Sequence, residues 1–105
     1  MDFNNSISEK IEGENLILRV HENLNDEVAN SLVNQFNNSN SSRNFNKVYI
    51  NIENCNIISS LAIGKILRIY RQLLKDKKEM IICSPKFYIK ELLLSIKLDL
   101  LMKIE

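Results

Sequence analysis

Apolar positions recur along this chain with two different periods. In Asn15-Leu16-Ile17-Leu18-Arg19-Val20, the residues Leu16, Leu18 and Val20 share one face and Ile17 takes the other, which predicts a strand. Ile7-Ser8-Glu9-Lys10-Ile11 precedes it, and Gly13-Glu14 between the two predicts a hairpin turning near Gly13. The spacing then changes. Val28, Leu32, Val33 and Phe36 follow a helical period, with Asn25 placed to cap the helix start. The Asn- and Ser-rich run from Asn37 to Asn46 predicts a surface loop. Lys47-Val48-Tyr49-Ile50-Asn51-Ile52 reads as a strand covered on at least one side. A second helix is predicted from about Ser60 to Lys75, with Ile63, Ile66, Leu67, Tyr70, Leu73 and Leu74 on one stripe. Lys65, Arg68, Arg71, Gln72 and Lys75 lie off that stripe, and Lys75-Asp76-Lys77-Lys78 ends the helix. Met80-Ile81-Ile82-Cys83 predicts a short buried strand. Ser84-Pro85 opens a third helix with Phe87, Ile89, Leu92, Leu93 and Ile96 inward, and Leu100 to Ile104 reads as a last strand. This order predicts an α/β fold: a mixed, mainly parallel β-sheet with helices packed on it. Leu18, Ile50, Ile52, Ile66, Tyr70 and Ile82 are expected in its core.

At 105 residues the chain has the size of one domain, expected over residues 1–105 with residues 1–6 polar and loose. Its 14 basic and 13 acidic residues leave a net charge of +1, which gives no case for direct nucleic-acid binding. Apolar runs such as Leu92-Leu93-Leu94 are too short to span a bilayer, and no signal peptide opens the chain, so no membrane partner is expected. Cys55 and Cys83 each sit in or beside an apolar run. Buried free thiols in a reducing, cytoplasmic setting are the expectation.

The residues do not assemble into an enzyme. His21 has no second histidine or cysteine near it, and the two cysteines lack metal-ligand spacing. With Gly13 and Gly64 the only glycines, neither a phosphate loop nor a dinucleotide fingerprint can be written. Ser59-Ser60 is not a nucleophile elbow, and Glu53 and Glu79 have no evident pairing. No catalytic residue, metal or cofactor is expected. Lys65, Arg68, Arg71 and Lys75 form either a solvated face or one rim of a docking surface for an acidic partner. Ser59 and Ser60 stand where a strand hands over to a helix. A hydroxyl there caps a helix N–H, and a phosphate on it is stabilised by the helix's positive end. Both roles remain open from the residues alone.

Ile57-Ile58-Ser59-Ser60-Leu61-Ala62-Ile63-Gly64, followed by Arg68-Ile69-Tyr70, resembles the signature of STAS domains of the anti-sigma factor antagonist type. Its usual form is apolar-apolar-Asp-Ser-Ser/Ala-Gly-Leu-Gly. Leu24 to Leu32 is similar to the family's first helix start, Glu79 to Cys83 to its fourth strand, and Ile89 to Ile104 to its closing helix and strand. The resemblance implies that Ser60 is a phospho-acceptor, with Ser59 the second candidate. It places partner contacts at Asn25, Asn56, Ser59, Ser60, Leu61, Ala62 and Lys65. It implies an anti-sigma factor with serine kinase activity as partner and a serine phosphatase that restores binding. The implied mechanism is partner switching: the unphosphorylated domain captures the anti-sigma factor, a sigma factor is released, and phosphorylation ends the capture. Ser59, Asn25 and Asn51 stand where the family usually has Asp, Ala62 and Lys97 where it has Gly, and Lys77-Lys78 where a Gly pair is common. Two other classes stay open: an unphosphorylated STAS adaptor subunit of a transporter ATPase, and a stress-signalling scaffold oligomerising through the Leu-rich third helix.

Overall fold

The alternating run Asn15–Val20 becomes a strand because one of its faces closes over a core. The computed structural model describes residues 6–42 and 44–105. Its elements are β1 (Ile7–Glu12), β2 (Asn15–Val20), α1 (Asp26–Ser42), β3 (Lys47–Asn51), α2 (Ser60–Lys75), β4 (Glu79–Cys83), α3 (Phe87–Ser95), a 3₁₀ turn (Leu98–Leu100) and β5 (Lys103–Ile104). Gly13, at φ 61°, makes the hairpin turn where a left-handed residue is needed. The sheet has the order β1-β2-β3-β4-β5, antiparallel between β1 and β2 and parallel thereafter. Parallel neighbours that follow one another in sequence return their helices over the same face.

That face is the core. Leu16, Leu18, Val20, Val48, Ile50, Ile52, Met80 and Ile82 line it, and residues from all three helices close it. The opposite face carries Lys10, Ile17, Tyr49, Ile81 and Lys103 in register across the strands. Ile81 is buried there by its neighbours, outside the core cluster. Ion pairs dress this second face: Lys10–Glu12, Arg19–Glu53, Lys47–Glu79 and Lys103–Glu105. Glu53 and Glu79, expected to stand unpaired, are therefore both paired.

Five other expectations need correction. The loop expected over Asn37–Asn46 is mostly helix, because α1 continues to Ser42. Tertiary contact overrides the poor propensity of the Asn/Ser run. Phe36 is buried in the core, and Gln35 and Ser39 both donate to the Glu9 carboxylate on β1. On α2 the buried seam is Ala62, Ile66, Ile69 and Leu73, while Tyr70 is half-buried and Leu74 is 57% exposed. Packing against α1 and β4 turns the helix so that Ile69 points inward and Leu74 outward. On α3 only Ile89 and Leu93 are buried; Phe87, Leu92 and Ile96 are exposed. A nine-residue helix with an i, i+4 seam covers little of the sheet. The closing strand is Lys103–Ile104 alone, with Leu98–Leu100 in the 3₁₀ turn. Ser6, expected loose, is buried; its hydroxyl donates to Glu22 at 2.6 Å and its carbonyl accepts from the His21 N–H. Residues 1–5 of that expected loose segment lie outside the described residues.

Candidate functional site

The connections after β2, β3 and β4 meet at one end of the sheet, beyond the C-terminal ends of the parallel strands. Backbone bonds tie the first two together. Leu24 N–H donates to the Ile57 carbonyl and Ser59 N–H to the Leu24 carbonyl, both at 2.9 Å, forming an isolated parallel bridge between Leu24 and Ile58. Asn23 Oδ1 accepts from the Asn56 and Ile57 amides at 2.8 and 3.2 Å. The third connection joins through Asn56, whose Oδ1 accepts from Lys86 Nζ and from the Tyr88 hydroxyl, the latter at 2.9 Å. Behind this junction the Cys55 thiol donates to the Glu22 carbonyl at 3.1 Å, and burial pushes it up to about 11. Cys83 is also free, half-buried, and raised by desolvation and then by the Glu105 and Glu53 carboxylates.

At the head of α2 the two serines part company. Ser59 is the cap, with extended backbone and an Oγ that accepts the Ala62 N–H at 3.1 Å. Ser60 is the first helical residue, and it is exposed. Its hydroxyl bonds to no described residue. No acidic residue lies in the first turn of α2, so the positive end of the helix faces solvent uncompensated. The connections that meet here also carry exposed apolar side chains: Ile57 is 60% exposed, Leu61 44% and Tyr88 52%. Asn25 and Asn56 are exposed, Lys65 is half-buried, and Ala62 is fully buried. Ala62, expected among the partner contacts, instead packs beneath the site, because the cap turns its position into the core seam.

A family model for the STAS domain matches residues 6–105. The chain belongs to the STAS domain family. Among solved structures, this STAS domain is similar to Thermotoga maritima TM1081, assigned as an anti-sigma factor antagonist, with TM-score 0.86 and 22% identity over 95% of this chain and 86% of that one. It is similar also to the anti-sigma factor antagonist SpoIIAA in its unphosphorylated form, with TM-score 0.80 and 14% identity over 94% of this chain and 87% of that one. Bacillus SpoIIAA in the phosphorylated form gives TM-score 0.73 and 14% identity over 94% and 90%. At these identities the likeness is one of fold. No curated protein matches the sequence.

The departures from the family pattern now have a structural account. At each position where Asp is usual, the residue here still accepts a backbone N–H. Asn25 Oδ1 takes Val28 at 2.9 Å, Asn51 Oδ1 takes Glu53 at 3.0 Å, and Ser59 Oγ takes Ala62. The local turns and caps need an oxygen acceptor, which Asn and Ser supply as Asp does. What this STAS domain lacks is the charge. Lys77 and Lys97, where the family carries Gly, have φ 59° and 62°. Lys77 sits in a Schellman motif: Lys78 N–H donates to the Leu73 carbonyl at 2.8 Å and Lys77 N–H to that of Leu74 at 3.0 Å.

Asn23, Ile57, Lys86 and Tyr88 did not emerge as site residues from the sequence. The signal was faint: a polar residue just past a strand, and an aromatic pair after Pro85 that fits a helical seam as readily as a surface. Among the described residues no group of His, Cys, Asp and Glu could hold a metal ion, and no helix is long and apolar enough to cross a membrane.

Proposed function

We propose that this STAS domain is an anti-sigma factor antagonist working by partner switching, with Ser60 as the phospho-acceptor. Its unphosphorylated form binds an anti-sigma factor with serine kinase activity, and a serine phosphatase restores that form. The observation that carries the reading is the division of labour at the head of α2: Ser59 supplies the cap, which leaves the Ser60 hydroxyl exposed and unbonded. Exposed Ile57, Leu61 and Tyr88 on the connections that meet there offer apolar contacts for a partner. The neighbouring structures of SpoIIAA in two phosphorylation forms support the same reading.

The physics needs no refolding. Phosphate adds about −1.5 to −2 charge and three acceptor oxygens. The helix end stabilises that charge in the free domain. At the centre of an apolar contact the same charge must be desolvated without a partner, which costs several kcal/mol.

The test uses the anti-sigma factor that the wild-type domain captures, incubated with ATP. Phosphopeptide mapping is expected to place phosphate on Ser60 and to find none in Ser60→Ala. Ser60→Asp is expected to weaken capture at least ~30-fold, about 2 kcal/mol. Phosphate on Ser59 alone would move the acceptor by one residue. If neither serine is modified and Ser60→Asp binds at full strength, the switch fails and the transporter-type adaptor becomes the better account.

A further inference from the structure

The described cations divide into those with an ion pair and those without, the latter including Lys77, Lys78, Lys86, Lys90 and Lys97 besides a set along α2. Those on the open sheet face, Lys10, Arg19, Lys47 and Lys103, each have a carboxylate within ion-pair reach. Those along α2 do not. Lys65, Arg68, Arg71 and Lys75 pair with no described acid, although between Ser60 and Lys78 lie six of the chain's 14 basic residues and one of its 13 acidic ones. These cations continue from Leu61 along one side of the helix, and Lys65 to Lys75 spans about 15 Å.

The relief of this face is also specific. Leu61, Gly64, Lys65, Arg68 and Arg71 line an open groove of about 280 Å³. A second groove of about 300 Å³ runs between α1 and α2, lined by Val33, Phe36, Asn37, Ile69, Gln72 and again Arg68. Gly64 forms part of the first. It lies inside a helix, without positive φ, and a Cβ built on it meets nothing within 4 Å. Neither backbone conformation nor packing within the chain calls for glycine, which weakens a helix interior. Its effect on the surface is to leave α2 backbone open to close approach, between an exposed Leu61 and Arg68.

We infer that this face of α2 extends the docking surface beyond Ser60 and takes an acidic segment of the protein partner across Arg68, with Gly64 as the point of closest approach. Charge complementarity selects the occupant: four cations follow one another along one side of the helix, and Asp76 at its C-terminal end is the one acid between Ser60 and Lys78. The inference rests on the proposed capture of a protein partner and names the chemistry of the part of it lying beyond Ser60.

The test needs no natural partner. A fluorescent, helix-forming peptide with glutamates every third or fourth residue is titrated into the full chain at low salt, beside versions carrying glutamine or lysine instead. Saturable binding is expected for the glutamate peptide, at least ~10-fold tighter than for the glutamine one and lost at high salt. Arg68→Glu/Arg71→Glu is expected to weaken it at least ~10-fold, and the lysine peptide to bind that variant in its place. Gly64→Gln, checked by melting to be folded, is expected to weaken the glutamate peptide several-fold by filling the groove. Absence of saturable binding, or equal binding of the glutamine peptide, overturns the inference. So does tighter binding to phosphatidylglycerol vesicles or to short duplex DNA than to the glutamate peptide. The switch and this face fail separately: Ser60→Asp reports on capture of the anti-sigma factor, and the peptide reports on α2 alone.

Discussion

Ser59 Oγ accepts the Ala62 N–H, so Ser59→Ala is expected to lower stability by about 1 kcal/mol, read as a shift of the urea midpoint. Ser60→Ala is expected to leave that midpoint almost unmoved, because the Ser60 hydroxyl holds no helix N–H. The pair of variants separates structure from signalling at adjacent residues. Cys55 gives a pH-dependent test. Its pKa in the folded chain is raised from 9.0 to about 11 by burial, so between those values the folded state holds a proton that the unfolded state has lost. Its contribution is therefore intact below about pH 9 and declines as pH rises toward 11, by roughly 2–3 kcal/mol in total. Cys55→Ser or Cys55→Ala is expected to flatten that part of the pH–stability curve. In native protein a thiol reagent is expected to reach half-buried Cys83 well before Cys55, and denaturant to expose both.

Helix ends and strand centres carry the predictions at the level of the element. Lys77 and Lys97 occupy left-handed positions that cost a side-chain-bearing residue about 1–2 kcal/mol, partly offset by glycine's greater freedom when unfolded. Lys77→Gly and Lys97→Gly are each expected to raise stability by up to about 1 kcal/mol in thermal or urea melts. A lower melting temperature for Lys77→Gly would mean that the lysine side chain does more at the end of α2 than solvate it. Ile50, fully buried in the middle of β3, is the reference for core loss: Ile50→Ala is expected to cost about 2–5 kcal/mol. Leu74→Ala is expected to cost little despite its place on the apolar pattern, since the side chain is more than half exposed.

Across the whole molecule, three surfaces are built for different surroundings. The open sheet face, with its own ion pairs, is suited to water. Exposed surface pairs of this kind contribute little, so Lys47→Ala is expected to change stability by less than about 1 kcal/mol in a denaturant titration. The end of the sheet around Ser60 combines exposed Ile57, Leu61 and Tyr88 with polar cross-ties, and the α2 face is cationic with one acid, Asp76, at its end. The cross-ties join the three connections that form the site. Asn56→Ala removes the acceptor shared by Lys86 and Tyr88, and is expected to weaken partner capture while leaving Ser60 open to phosphorylation. Comparing capture with phosphate incorporation on one preparation separates the two effects.

Period and punctuation were enough to determine the order of strands and helices, the hairpin at Gly13, the cap at Asn25 and the serine junction at the head of α2. These are local matters, settled by backbone sterics and side-chain alternation within a few residues. The tertiary structure alone decided where α1 stops, because Glu9 and the core hold an Asn/Ser run helical that isolated propensity would release. It decided which side of α2 and α3 faces inward, since an apolar stripe wider than the available seam leaves the helix rotation to its neighbours. It also decided which serine is the cap. Both satisfy the same preference in sequence, and only the bridge between Leu24 and Ile58 sets the phase at which the chain enters the helix. The convergence of Asn23, Asn56, Lys86 and Tyr88 belongs to the same class: hydrogen bonds between residues about thirty positions apart leave no mark on any local pattern.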